Sequence, residues 1–203
     1  MSIQTTLSAC KLTAQAVMCM YKGAKKISDI FLTRKIEKFA EKPFSEKSQQ
    51  YIDGLDTTKF EQLQEQIIHA LTHAESTIKA IYIKNLTEAH CRQEIDWITF
   101  CRMNHVLNQI FTFDLRLLVM FYNNEKAEEK CDEITQNKLN LFAQCGLVDY
   151  SNILDANGAT LRDMFLLNDF GRKFIVCALP DLDELSKKNA HKQFNDMWSD
   201  FIE

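Results

Sequence analysis

The sequence predicts a mainly α-helical chain with a small α+β portion near its C-terminal end, and three observations lead there. Only 5 Gly and 2 Pro interrupt 203 residues, which leaves few punctuation points for a turn-rich β-sandwich and long stretches open to helices. Those stretches are filled by Leu, Lys, Glu, Gln and Ala, the good helix formers. From Phe60 to Tyr82 the apolar side chains recur mostly at spacings of 3, 4 and 7, the mark of a helix face.

Taken in order, residues 7–22 are a mildly amphipathic helix candidate that ends at Gly23, with Leu7, Val17, Met18 and Tyr21 on its apolar side. Residues 24–41 repeat the pattern through Ile27, Ile30, Phe31, Ile36 and Phe39, and Pro43 stops it. Ser45 to Ile52 is a short helix closed at Gly54. Asp56 or Thr57 then caps the longest stripe, formed by Phe60, Leu63, Ile67, Ile68, Leu71, Ile78, Ile81 and Tyr82. That stripe predicts one helix of roughly 28 residues, about 40 Å long. A helix over 93–111 follows, and then the almost wholly apolar run Phe113 to Tyr122. A segment apolar all round is buried or covered by a partner.

The polar stretch 123–131 is the natural boundary, giving a helical bundle over 1–124 and a second module over 132–203. There the pattern changes. Ile134 to Cys145 predicts a helix with Gly146 just past its end, and Leu147 to Tyr150 is strand-like. Asn157-Gly158 lies between two apolar runs as a hairpin signal. Asn168 or Asp169 caps a helix over 170–179, stopped by Pro180.

Composition excludes several classes. Apolar residues at 46% and charged residues at 26% are the balance of a globular protein with a core, not of a disordered chain. The seven cysteines are dispersed, odd in number and without a Cys-x-x-Cys pair, unlike a secreted disulfide framework. No run approaches the ~18 apolar residues of a membrane-crossing helix, and the N-terminal apolar residues are broken by polar ones and precede their basic cluster. The expected location is the cytoplasm, with contact to a membrane surface as a variant. Residues 1–44 hold eight Lys/Arg against three Asp/Glu, whereas the rest of the chain is net acidic, so the basic surface is a local one.

The residues Lys138-Leu139-Asn140-Leu141-Phe142 through Gly146-Leu147-Val148, followed by Phe165 to Ile175 with its Asn168-Asp169-Phe170-Gly171-Arg172-Lys173-Phe174 core, resemble the second half of a winged-helix domain. In such domains Thr is usual where Asn168 stands. The apolar pattern of residues 25–118 is similar to that of uncharacterised helical proteins of bacteria and their phages, which often pair a helical body with a winged-helix tail. The resemblance implies a helical bundle followed by a winged-helix-like module. It also implies an adaptor, effector or regulator, some members being linked with antiviral defence, and it assigns no catalytic residue and no cofactor.

Each candidate chemistry stands beside a plainer reading. DNA contact would fall to Lys138, Asn140 and Gln144, with Gln136 and Asn137, on the 134–145 helix and to Arg162 on the wing. Asp155 and Asp163 make that wing acidic, and many winged helices contact protein instead. His69 and His73 share a helix face, as do Cys101 and His105, so two such pairs on neighbouring helices would offer four zinc ligands. The plainer reading makes them surface spacers beside the apolar stripe, and no metal is expected. His90-Cys91 are adjacent in sequence and so point apart on a helix, and neither a Gly-x-Ser-x-Gly motif nor a Gly-rich phosphate loop occurs. No enzyme activity is expected.

Lys22, Lys25, Lys26, Arg34, Lys35 and Lys38 would suit an anionic membrane or a partner, or simply form a solvated helix face. Trp198 and Phe201, with Phe194, Met197 and Ile202, make an amphipathic tail able to dock on its own core or in a partner's groove. The expected partner is a protein or a second copy of the chain, with nucleic acid and a membrane surface as alternatives.

Overall fold

The computed structural model describes residues 30–123, 133–154 and 160–180. The expected helix over 7–22, the polar boundary stretch beyond residue 123, the Asn157-Gly158 turn and the aromatic tail lie outside them. The described residues are mainly helical, with eight helices and one two-stranded sheet, and none of those helices is long and apolar enough to cross a membrane. The chain divides after Thr112 into two compact units, earlier than the polar stretch that the sequence suggests.

The first unit contains α1 (Ile30–Ala40), α2 (Glu46–Asp53), α3 (Thr57–His73), α4 (Thr77–Cys91) and α5 (Trp97–Gln109). Among the described residues helix α4 is its centre, in contact with each of the other four. Ten of its 15 residues are buried, and they include Lys79, Lys84, Thr87 and His90 beside Ala80, Ile83 and Leu86. Burying two ammonium groups requires partners for each. Lys79 is ion-paired with Glu75. Lys84 donates to the Lys42 carbonyl and lies 4.0 Å from the centre of the Phe44 ring.

The single long helix expected from Asp56 onward is two helices. Helix α3 starts where expected, with Asp56 accepting from the Lys59 N–H, but it ends at His73, and Ala74 is extended (φ −65°, ψ 129°). Ser76 then caps α4 by accepting from the Lys79 N–H. A serine hydroxyl competes with the helical hydrogen-bond ladder and favours a start over a continuation. Two tertiary contacts hold the break. The Glu75 carboxylate accepts from the Thr112 N–H (2.7 Å) and hydroxyl (2.6 Å). The Lys35 ammonium donates to the carbonyls of Ala74 (2.8 Å) and Thr72 (3.3 Å), groups that a helix end leaves without an internal partner.

A second difference lies at Gln93, expected as a helix start. It has φ 62° and forms the turn after α4. Its N–H reaches the His90 carbonyl and the Glu94 N–H reaches Ala89, each at 2.9 Å, the Schellman closure that usually places glycine at this position. Helix α5 begins four residues later, capped by Asp96 on the Thr99 N–H.

The second unit contains α6 (Thr112–Asn123) from Phe113 onward, its first residue Thr112 belonging to the first unit, then α7 (Glu133–Gln144), β1 (Val148–Leu154), β2 (Thr160–Leu167) and α8 (Asp169–Ala178). Leu115, Leu118 and Val119 of α6 are buried, as its apolar composition requires. Asp114 of α6 pairs with Lys138 of α7. Helix α7 ends in its own Schellman closure, with Gly146 at φ 72° and Leu147 N–H bonded to the Phe142 carbonyl at 2.9 Å. The strands pair antiparallel from Val148↔Leu167 to Ile153↔Arg162, with an irregularity before Leu154↔Thr160. Asn168 caps α8 by accepting from the Gly171 N–H (2.9 Å) while its amide donates to the Gly146 carbonyl (3.1 Å) and to Asp149 (3.0 Å).

Candidate functional site

In the second unit, the cation most suited to reach a nucleic acid is already engaged. Lys138 Nζ is 2.7 Å from the Asp114 carboxylate and 5.1 Å from the centre of the Phe113 ring. Its side chain is 23% exposed. Asn137 and Gln144 are exposed, and Gln136 and Asn140 are half-buried. Arg162 stands on β2 opposite Ile153, beside Asp163.

The basic face expected on α1 is split. Arg34 is exposed. Lys35 is buried at 7% exposure and its charge serves the end of α3. Lys38 pairs with Glu41 at 2.5 Å, and that ammonium holds the Glu41 carboxyl below its ordinary range. Lys22, Lys25, Lys26, Trp198 and Phe201 lie outside the described residues.

The four-ligand zinc arrangement is not assembled: among the described residues no group of three or more His, Cys, Asp or Glu is placed to hold a metal ion. The two pairs behave differently. His69 and His73 are exposed, with ring centres 4.3 Å apart, and His73 Nδ1 lies 2.8 Å from the His69 carbonyl. His105 instead meets Gln109 at 3.0 Å, and Cys101 is half-buried.

His90 sits in an aromatic box that sequence reasoning missed. Its ring stacks on Phe100 (5.1 Å, 16°) and meets Tyr51 and Trp97 at 5.7 and 5.6 Å. Its Nδ1 is 3.2 Å from the Ile95 carbonyl. Burial pushes its pKa below the ordinary value, against the upward pull of that carbonyl and of Asp96. The only signal in the sequence is a cluster of ring-bearing residues spread over three helices, which no periodicity joins. The adjacent Cys91 is 2% exposed, and burial pushes its thiol up to about 12, so it stays protonated and is no nucleophile at neutral pH.

At the rim of this box the first turn of α5 presents apolar surface. Ile98 is 78% exposed and Trp97 37%. Phe31, at the start of α1, is 72% exposed. The sequence places Phe31 on the apolar side of its helix, and the fold turns it outward. Exposed apolar side chains of the second unit include Phe113, Tyr150, Leu166 and Val176.

No family model, no curated protein and no solved structure matches this chain.

Proposed function

We propose that the chain is a non-catalytic adaptor or effector that works through protein–protein contacts. The observation that carries this reading is the surface of α5. Ile98 is almost fully exposed beside a partly exposed Trp97, on a helix fixed by its Asp96 cap. Burying such side chains gains about 25 cal/mol per Å² of apolar surface, and tryptophan is among the residues enriched where interfaces derive their energy. Bacterial and phage antiviral conflict is the setting that the sequence resemblance adds.

The helix–hairpin–helix order of the second unit supports a winged-helix-like reading of that unit. A DNA-binding regulator has less support, because Lys138 is neutralised by Asp114 and phosphate contact needs cations free to replace counterions. A peripheral membrane effector loses Lys35 from its basic face.

The test is an affinity pull-down from the native cell with and without nuclease, run beside an Ile98→Glu variant. A stoichiometric protein that survives nuclease and is lost with Ile98→Glu supports the adaptor reading. Recovery of nucleic acid alone, weakened by salt and by Lys138→Glu, replaces it with the regulator.

A further inference from the structure

We propose that His69 and His73 form a two-imidazole surface site for a borderline divalent transition-metal ion of the Zn(II), Ni(II) and Cu(II) class. Four residues apart on α3, their rings share one helix face. Their centres are 4.3 Å apart. Two imidazoles bound to one ion through bonds of ~2.1 Å have ring centres about 4.6 Å apart at a right-angle N–metal–N geometry and about 5.3 Å apart at a tetrahedral one, so a change in side-chain torsion closes the chelate. Both residues are exposed, and no backbone movement is needed for an ion to enter.

The tautomer favours it as well. With Nδ1 of His73 donating to the His69 carbonyl at 2.8 Å, the Nε2 lone pair is left facing away from that bond. An imidazole whose other nitrogen is fixed by a backbone carbonyl is the usual arrangement of a metal-bound histidine. The field at this end of α3 also favours a cation, since the pair occupies its last two turns. Lys35 at the same helix end opposes this in part, its ammonium lying on the Thr72 and Ala74 carbonyls. Glu65, exposed and one turn before His69, adds a negative charge to the same face. Two protein ligands leave the remaining positions of the ion to water. Imidazole selects borderline ions over Mg(II) and Ca(II), and the expected order of affinity places Cu(II) first.

The experiment titrates the intact, chelator-treated chain with CuSO4, NiCl2, ZnCl2 and MgCl2. Calorimetry gives the affinity, and the diamagnetic Zn(II) complex is followed through the histidine ring resonances. The expected result is one transition-metal ion per chain, with the His69 and His73 resonances moving together and Mg(II) without effect. His69→Ala and His73→Ala should each weaken binding by about tenfold or more, while His105→Ala leaves it unchanged. Binding of unchanged affinity in either single variant, or binding that moves His105 in place of the pair, overturns the proposal. Both residues are exposed, so the variants retain the fold, and the resonance shifts of the unsubstituted chain give a reading independent of them.

Discussion

The carbonyl oxygen of Leu147 stands 2.0 Å from the point that a Cβ on Gly171 would occupy. Helix α8 therefore approaches the corner between α7 and β1 more closely than any residue with a side chain allows. Asn168 holds the approach from the other side, since one amide group caps α8 and reaches back to Gly146 and Asp149.

Gly171→Ala should accordingly be severe, because the clash is with backbone and not with the end of a flexible side chain. A loss of about 3 kcal/mol, at the upper end for overpacking, corresponds to a fall in Tm of roughly 10 °C or more in a small unit. Thermal unfolding followed by circular dichroism measures it. Gly54→Ala is the control, since its nearest neighbours would be 3.4 and 3.5 Å away, and it should change Tm little.

Gln93 invites the opposite substitution. Its φ of 62° costs a side-chain-bearing residue about 1 kcal/mol, and glycine avoids that cost while adding freedom to the unfolded chain. Gln93→Gly should stabilise by up to about 1 kcal/mol. A denaturant midpoint that rises with unchanged slope is the expected observation.

His90 should make stability depend on pH. Its folded pKa lies below the ordinary 6.5, so the unfolded chain takes up the proton first as the solution is acidified. The contribution is fully present above about pH 6.5 and is lost as pH falls through the folded value. Stability measured by denaturant between pH 7.5 and 5 should decline, and His90→Gln should flatten that decline whatever it does to the absolute value. A slope unaltered by the substitution would assign the effect to other groups.

What the sequence disclosed, and what it did not, is clearest in the two Schellman closures. Gly146 announces the end of α7, and the helix does end there. The same closure after α4 uses Gln93, which carries no such signal, and the reading placed a helix start where a helix had just finished. Local chemistry narrows two caps to Asp56 or Thr57 and to Asn168 or Asp169, and Asp56 and Asn168 make the bonds, each joining residues three apart in sequence. The break at residues 74–76 was hidden for the converse reason. The apolar stripe runs on through it, and Lys35 and Thr112, which secure it, are distant in sequence. Lys35 looked like a surface cation since its partners are backbone carbonyls, to which composition is blind. The exposure of Phe31 and Ile98 was equally hidden: each is apolar, near the core stripe in spacing, and differs from a core residue only in what the fold leaves uncovered.

Helix α4 is the shared neighbour of every other described helix in its unit, and this bears on how that unit comes apart. A peripheral helix can detach and leave the rest standing, but nothing that remains could shelter α4 alone. Its amide protons should therefore exchange with solvent only when the whole unit opens, and they should report one common free energy from Ala80 to Cys91. The first turn of α5, which carries Trp97 and Ile98, is free to exchange through local fraying at far lower cost. The contact surface proposed for α5 is then mounted on a centre that yields only all at once.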